Sequence, residues 1–489
     1  MIETIRTFTA LSEEFVELFM KHHPVAATEA GIHDYDHLMP DDTPEGLQGR
    51  AMWLRDLDQR LVAAVPWEEL PLEPRVDFAL LRSRIAALRA DLEEIKVPQK
   101  NPTLYLERAF SAVHLLLARS FAPLDERKEA AVSRLMAVPE YLEAVKPNLL
   151  AVPPVMLAAS LEMAAEGPTF VDDVVRLLLR QFPGEAERLE HAGNRARAGF
   201  LRVPRLDGEG AQAPGDRLVR HRRALAQLQA RTRAHGALRL RRVGACGPRT
   251  RGARAGAARG RGPPARRAPR LARADRPGPP AHARSELAAR VLRRPSWTER
   301  SASWPSAASR RCRPATGWRC WTRLCSSGAC ARMRPYQAPA PFDADPAGVF
   351  YVTPIDIRRP KDEQAAQLAA HCMPALPILA LHEGYPGHHL QLTHANRAAT
   401  RLRRIVHSDV FAEGWALYCE ELMWEQGYFT ADPLTRLFQL RDLLFRACRV
   451  VVDMALHSGR MTPEQAVAYL VEEVMLDPPS RRRRCSAIA

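Results

Sequence analysis

Three histidines, a glutamate and a proline-glycine pair fall within the ten residues His382 to Gln391, which read HEGYPGHHLQ. Zinc needs ligands that converge from neighbouring helical turns. The H-E-x-x-H pattern supplies them by placing histidines at i and i+4, with the glutamate beside the bound water. Here position i+4 from His382 is Pro386, which cannot ligate. On an undistorted helix His389 would share the azimuth of His382 but lie two turns, about 10 Å, along the axis. Pro386-Gly387 breaks that helix, because proline clashes with the carbonyl four residues back and removes a donor. If the pair bulges out as an insertion, His388 takes the second-ligand place, with His389 as its alternate. The stretch then reads as the zinc-binding core of a metallopeptidase-like site, with His382 and His388 as ligands and Glu383 as general base.

A third ligand is sought on a separate helix, in HSDVFAEGWALYCEEL. Glu413 is flanked by Phe411, Ala412, Gly414 and Trp415, a setting in which a carboxylate must be paired or metal-bound. Glu420 is followed by Glu421 and Glu425, which suggests a solvated face, so Glu413 is favoured and Glu420 is the alternate. Further on, Arg446, Arg449, Asp453 and His457 form one polar stripe on an otherwise apolar helix. Asp453 can hold His457 across one turn, and the arginines are placed to receive a substrate carboxylate or to form a salt-bridge ladder between helices. Tyr351, Tyr418 and Tyr469 are the candidate oxyanion donors beside His457.

The elements that must carry these groups are helical. Residues 1–204 hold amphipathic stripes: Phe8, Leu11, Phe15, Leu18 and Phe19, then Leu54, Leu57, Leu61 and Val62, then Phe78, Leu81, Ile85, Leu88 and Leu92. Further helices are expected at roughly 126–150 and 169–194, and Asp41-Asp42-Thr43-Pro44 reads as a turn and helix start. In 335–478, GVFYVTPID (Gly348 to Asp356) alternates like a short strand, the one convincing strand signal in the chain. Ser408 caps a helix from Asp409 to Gln426, and Pro433 opens a longer one to His457. Thr462-Pro463-Glu464-Gln465 is a capping box. The expected fold is all-α and largely one unit, with a small β-edge beside the site. That strand near Tyr351 would align an extended substrate by backbone pairing.

The chain has 489 residues and a formal net charge of +15. The charge is confined: residues 201–340 hold 33 Arg, no Lys and 6 acids, and the remainder is acidic by 12. An even basic surface for nucleic acid is therefore not expected, although an Arg-rich linker would bind phosphates in a salt-dependent way. Residues 205–334 combine Arg, Ala, Gly and Pro without periodicity, which by composition reads as disorder. The same composition arises when GC-rich DNA is translated out of register. The missing lysine and the four Trp and four Cys clustered between Trp297 and Cys330 favour a frame error. The basic tail 479–489 has the same character. The alternative to an active enzyme is then a catalytically inactive remnant of a frame-damaged gene. Cys320, Cys325 and Cys330 lack C-x-x-C spacing, whereas Cys372, Cys419 and Cys448 read as buried free thiols. No run of eighteen apolar residues is present, so no membrane partner is expected. The acid-rich N-terminus, with neither a basic n-region nor an apolar h-region, gives a cytoplasmic location as the expectation.

HEGYPGHHLQ, FAEGWALYCEEL and RACRVVVDMALHS resemble the bacterial domain of unknown function 885 family, and TEAGIHDYD (Thr28 to Asp36) and PFDADPAGVFYVTP resemble its other recurrent stretches. That family is similar to helical zinc metallopeptidases of the thimet oligopeptidase and Taq carboxypeptidase type, in which a glutamate on a second helix completes a His-Glu-His set. The resemblance covers about 1–200 and 335–478 and implies zinc-assisted hydrolysis of a peptide substrate in a zincin-like helical architecture. Residues 201–334 have no counterpart, and the family's C-terminal tyrosine-containing stretch is missing. A frame error makes one direct prediction: another reading frame of the parent DNA restores lysines, acids and helical periodicity across 205–334. If neither frame does so, the segment is authentic.

Overall fold

The computed structural model describes residues 2–203, 318–322 (backbone only), 336–344, 347–352, 355, 360–370, 372–429 and 432–475. The remainder of the Arg-rich segment, including Cys246, Cys312, Cys325 and Cys330, and the tail after Met475 lie outside the described residues. Nine helices of seven residues or more fill the described N-terminal region: α1 (Ile2–His22), α2 (Pro24–Ala30), α3 (Pro44–Ala64), α4 (Leu72–Arg89), α5 (Thr103–Ala118), α6 (Leu124–Ala144), α7 (Pro154–Ala165), α8 (Gly167–Gln181) and α9 (Ala186–Arg202), with a single helical turn at Val97–Lys100 between α4 and α5. Strands β1 (Trp318–Thr322), β2 (Tyr336–Gln337) and β3 (Gly348–Val352) follow. The rest is helical again: α10 (Lys361–Ala370), α11 (Leu376–Glu383), α12 (His388–Ala395), α13 (Arg401–Ile405), α14 (Asp409–Glu425), α15 (Pro433–His457) and α16 (Pro463–Val474). The all-α architecture with a small β-edge is as the periodicity predicts.

Most of the predicted stripe residues lie on the buried faces, and Val62 is the exception at 55% exposure. Phe8, Leu11, Phe15, Leu54, Leu57, Leu61, Phe78, Leu81 and Ile85 form one core shared by α1, α3 and α4. A second core is built from α5 to α9, around Phe110, Leu116, Leu135, Phe170 and Phe200. Thr43 accepts from the Gly46 amide and so starts α3, while Asp42 beside it is buried and bonded by Arg50, Arg108 and Tyr141. The capping signals hold in the C-terminal region too. Ser408 accepts from Phe411 N, and Thr462 and Gln465 form the complete capping box. Where one helix is expected over 169–194 there are two, because Phe182-Pro183 cannot continue α8. Helix α5 is buried along most of its length, with Glu107 exposed and Arg108 and His114 engaged in polar contacts, so its apolar residues cover more than one face and its amphipathic period is weak.

β3 departs from expectation. It is the central strand of three, pairing in parallel with β1 from Trp318↔Gly348 to Thr322↔Val352 and antiparallel with β2 at Tyr336↔Phe350 and Gln337↔Val349. β1 takes one edge along the whole strand and β2 takes Val349 and Phe350 on the other, so β3 is not the free edge expected to pair with substrate. β1 itself comes from the segment that composition reads as disordered. Cys419 and Cys448 are buried free thiols as expected, but Cys372 is only half-buried.

The N-terminal and C-terminal regions are stitched together. Leu402 of α13 is fully buried in the core of α1, α3 and α4, Arg401 reaches Glu13 at 2.9 Å, and Arg403 pairs with Asp77. TEAGIHDYD and PFDADPAG meet at His33, whose Nδ1 lies 2.8 Å from Asp36 Oδ2 and whose Nε2 lies 2.9 Å from Asp343 Oδ1. Gly31 makes room for this clamp. Its φ is +85°, and a Cβ there would sit 2.6 Å from Asp343 Oδ1. No described helix is long and apolar enough to cross a membrane.

Burial opposes the charge on His33, but the bonds to Asp343 and Asp36 outweigh it and raise the pKa from 6.5 to about 9. A pKa raised in the folded state stabilises fully below the unfolded value of 6.5 and ceases to do so as pH rises through about 9. His33→Gln is therefore expected to cost about 2 kcal/mol at pH 6, with the gap to the unsubstituted chain closing above pH 9. Thermal melts from pH 6 to 10 check this; a gap independent of pH would contradict it.

Candidate functional site

The site begins where α11 stops. Pro386 follows a cis Tyr385–Pro386 bond, and the Gly387 amide donates back to Leu381 O at 3.0 Å. That close return admits only glycine, since a Cβ on Gly387 would lie 2.0 Å from His382 O and 2.3 Å from Leu381 O. The chain restarts as α12 with His388 at its first turn. The interruption thus works as an insertion: the His382 and His388 rings stand perpendicular, 4.7 Å between centroids.

Helix α14 is fastened to this turn. The Pro386 carbonyl accepts from Trp415 Nε1 at 2.8 Å and from Cys419 Sγ at 3.4 Å. The clamp brings Glu413 to the two histidines, with Oε2 3.5 Å from His382 Nε2 and Oε1 3.7 Å from His388 Nε2. Ligand atoms of His382, His388 and Glu413 all lie within 4.8 Å of one another. Two donors at about 2.1 Å from one tetrahedral zinc stand roughly 3.4 Å apart, which the two Glu413–histidine separations approach. His389 turns away, its Nδ1 2.8 Å from Tyr336 OH, and burial pushes its pKa down to about 4. Of the two candidate second histidines, the geometry brings only His388 to the cluster.

The two glutamates exchange the environments expected of them. Glu413, expected in an apolar setting, is 66% exposed at the rim, and Glu420, expected on a solvated face, is 0% exposed. Glu420 lies one heptad after Glu413 on the same face of α14, a spacing visible in the sequence that would have placed both at the site. Its Oε1 is 2.8 Å from His382 Nδ1, so it sits behind the ligand rather than in its place. Arg446 Nη2 stands beside both, 3.4 Å from Glu420 Oε1 and 3.3 Å from His382 Nδ1. Arg446 is thus engaged with Glu420 as the salt-bridge reading predicts.

Burial pulls the His382 pKa down, but Glu413 and Glu420 raise it further, to about 9, so the site favours positive charge. The bond to His382 holds Glu413 down at about 2 despite its partial burial. Burial, aided by Glu413, lifts Glu383 to about 7, against the opposing pull of His382.

Other expected groups lie elsewhere. His457 pairs with Asp453 as predicted, Nδ1 to Oδ1 3.2 Å, but it is eleven residues beyond Arg446, about 16 Å along α15. It is not brought to His382, which removes it as an oxyanion donor. Arg449 is exposed with its guanidinium over the Phe445 ring. Tyr351 is buried, its hydroxyl 2.6 Å from the Gln337 side chain and 2.9 Å from His114 Nε2, so it acts in the scaffold and not as a substrate contact. Tyr469 packs on α15 beside Cys448, and Tyr418 is exposed on α14.

A search of curated proteins finds no match. Two solved structures share the fold: a candidate lipoprotein of unknown function from Shewanella oneidensis, and a candidate lipoprotein from Colwellia psychrerythraea. The first has TM-score 0.58 and 16% identity, covering 98% of this chain and 89% of that one. The second has TM-score 0.61 and 16% identity, covering 100% and 89%. The family model of a bacterial protein of unknown function, DUF885, matches residues 24–238 and 327–485. The match therefore runs further into the Arg-rich segment, and into the basic tail, than the recurrent motifs alone indicate. Matched over most of its length, the chain belongs to the DUF885 family of bacterial proteins of unknown function.

Proposed function

We propose that the chain is a zinc-dependent hydrolase of peptide bonds. The observation that carries this reading is the convergence of His382, His388 and Glu413 ligand atoms within 4.8 Å. These three residues would hold the ion, and a zinc ion in such a set polarises a carbonyl and makes bound water acidic. The chain's own groups divide the remaining work. Glu420 accepts from His382 Nδ1 and thereby leaves Nε2 as the ligating atom, the usual arrangement behind a metal-bound imidazole. Arg446 balances the buried Glu420 carboxylate. Glu383, adjacent in sequence to His382, is buried and carries a pKa of about 7. A carboxylate poised near neutrality can take a proton from water and pass it to the leaving amine. No residue among the expected oxyanion donors is brought to the cluster, so that role is left unassigned.

Purified full-length chain is expected to hold one zinc per molecule. His388→Ala and Glu413→Ala abolish that stoichiometry, whereas His389→Ala retains it. Glu383→Gln retains zinc but loses about 10²-fold or more in kcat. Elemental analysis beside peptide-cleavage assays separates these outcomes. A metal-free unsubstituted chain, or an active Glu383→Gln, contradicts the proposal.

Glu420→Gln tests the layer behind the ligands. It is expected to weaken zinc binding about 10- to 100-fold, measured by competition with a chromogenic chelator. An unchanged affinity would show that Glu420 only fills space.

A further inference from the structure

Arg446 of α15 meets the cluster with a single nitrogen. Its Nη2 lies 3.4 Å from Glu420 Oε1 and 3.3 Å from His382 Nδ1, whereas Nη1 and Nε make no hydrogen bond among the described residues. Nη2 carries two protons and only one faces Glu420. The other, together with Nη1 or Nε, forms an open fork of the kind that receives a planar carboxylate. Elsewhere in this chain such forks are filled. Arg60 closes both Nη atoms on Glu14 at 2.7 Å, and Arg436 closes both on Glu421 at 2.7 and 3.0 Å. Around Arg446 no carboxylate of the chain does the same. The two acids of α15 turn to other partners, Asp442 lying 3.5 Å from Arg441 and Asp453 3.2 Å from His457. Glu413 faces the two imidazoles, and Glu420 is bonded to His382.

The open fork is also reachable. Gln439, Arg446 and Asp453 follow one another at heptad spacing on one face of α15. Gln439 is buried, the Arg446 side chain is 30% exposed and that of Asp453 60%. That face leaves the protein interior where Arg446 stands. Its Nη1 and Nε are wet, unlike Arg441 Nε, which is buried without a partner. Only the imidazole ring separates Arg446, at Nδ1, from His382 Nε2, the atom turned to Glu413. Extended chain advances roughly 3.5 Å per residue, so a carboxylate one residue away from a carbonyl at the cluster falls within the range of this guanidinium.

We propose that Arg446 receives a carboxylate of the peptide substrate, carried by the residue next to the cleaved bond. The proposal rests on the hydrolase reading for the cleavage, but the carboxylate contact is testable without zinc. Metal-free full-length chain is titrated calorimetrically with two acid and amide pairs, Ac-Ala-Ala-OH against Ac-Ala-Ala-NH2 and Ac-Ala-Glu-NH2 against Ac-Ala-Gln-NH2. The acid of at least one pair is expected to bind tenfold or more tightly than its amide. A preference in the first pair marks a chain-terminal carboxylate, and one in the second marks an acidic side chain. Arg446→Gln should bring the ratio close to one. Arg446→Lys keeps a charge beside Glu420 but not the fork, and should lower the ratio severalfold; it also decides the matter if Arg446→Gln fails to fold. Arg449→Gln, exposed one turn further along α15, should hold the ratio within about twofold. Three results overturn the proposal: no acid preference in either pair, a preference that survives substitution of Arg446, or an equal loss in the Arg446 and Arg449 variants, which would report diffuse charge. Zinc-loaded chain should show the same preference in kcat/KM. Absence of zinc and of cleavage removes the hydrolase reading alone, and the metal-free titration then still decides whether Arg446 selects carboxylates.

Discussion

The site depends on one backbone constraint, the return of Gly387 onto the last turn of α11. Proline at 386 cannot extend that helix, and the chain can fold back only because position 387 has no Cβ to strike the carbonyls of Leu381 and His382. The return does two things at once. It restarts a helix with His388 facing His382, and it leaves the Pro386 carbonyl outside any helical ladder. A buried carbonyl without a donor is costly. Trp415 and Cys419, one turn apart on α14, supply donors to it. The same bonds that satisfy the broken helix therefore fix the helix carrying Glu413 and Glu420.

Charge follows from that docking. A fully buried carboxylate such as Glu420 is tolerated only when paired, and both of its neighbours here, His382 and Arg446, are cationic or able to become so. Its second oxygen, Oε2, finds no donor among the described residues. With Glu413 on the other side of the imidazole, His382 lies between two carboxylates, and the local field attracts positive charge. Without a metal a proton on His382 answers that field. Glu413 remains exposed at the rim, while Glu420 is fully buried behind the imidazole.

How much of this was legible in the sequence depends on where each signal originates. Helix starts were readable because caps are local: Ser408, Thr43 and the Thr462 box act within three residues of themselves. The bulge at Pro386-Gly387 was readable for the same reason. The roles of Glu413 and Glu420 were not, because exposure on α14 is decided by what packs across it, and α11 and α12 arrive from thirty residues away in sequence. β3 looked like a free edge because its parallel partner, Trp318–Thr322, lies in a run whose composition conceals any strand pattern. Helix α5 escaped notice because its apolar residues cover more than one face, which weakens the period. His457 was misplaced by reading a stripe as a site: shared azimuth on a 25-residue helix says nothing about shared depth.

The N-terminal helices contribute no residue to the cluster of His382, His388 and Glu413, yet it is held by them at one remove. His389 fixes α12 through Tyr336 of β2, and Gly348 of β3 passes so close to the His389 ring that a Cβ would stand 2.7 Å from Nδ1. The sheet in turn is anchored on α5, where His114 meets Tyr351 and Arg119 Nη2 donates to the Ala338 carbonyl at 3.2 Å. Arg119 also lies 3.7 Å from Asp343, the residue that closes the His33 clamp. A chain of polar contacts thus runs from the motif at residues 28–36 through α5 and the sheet to the histidine beside His388. That chain holds the His389 ring toward Tyr336 and away from His382 and Glu413, so the scaffold and not the motif decides which of the adjacent histidines joins the cluster.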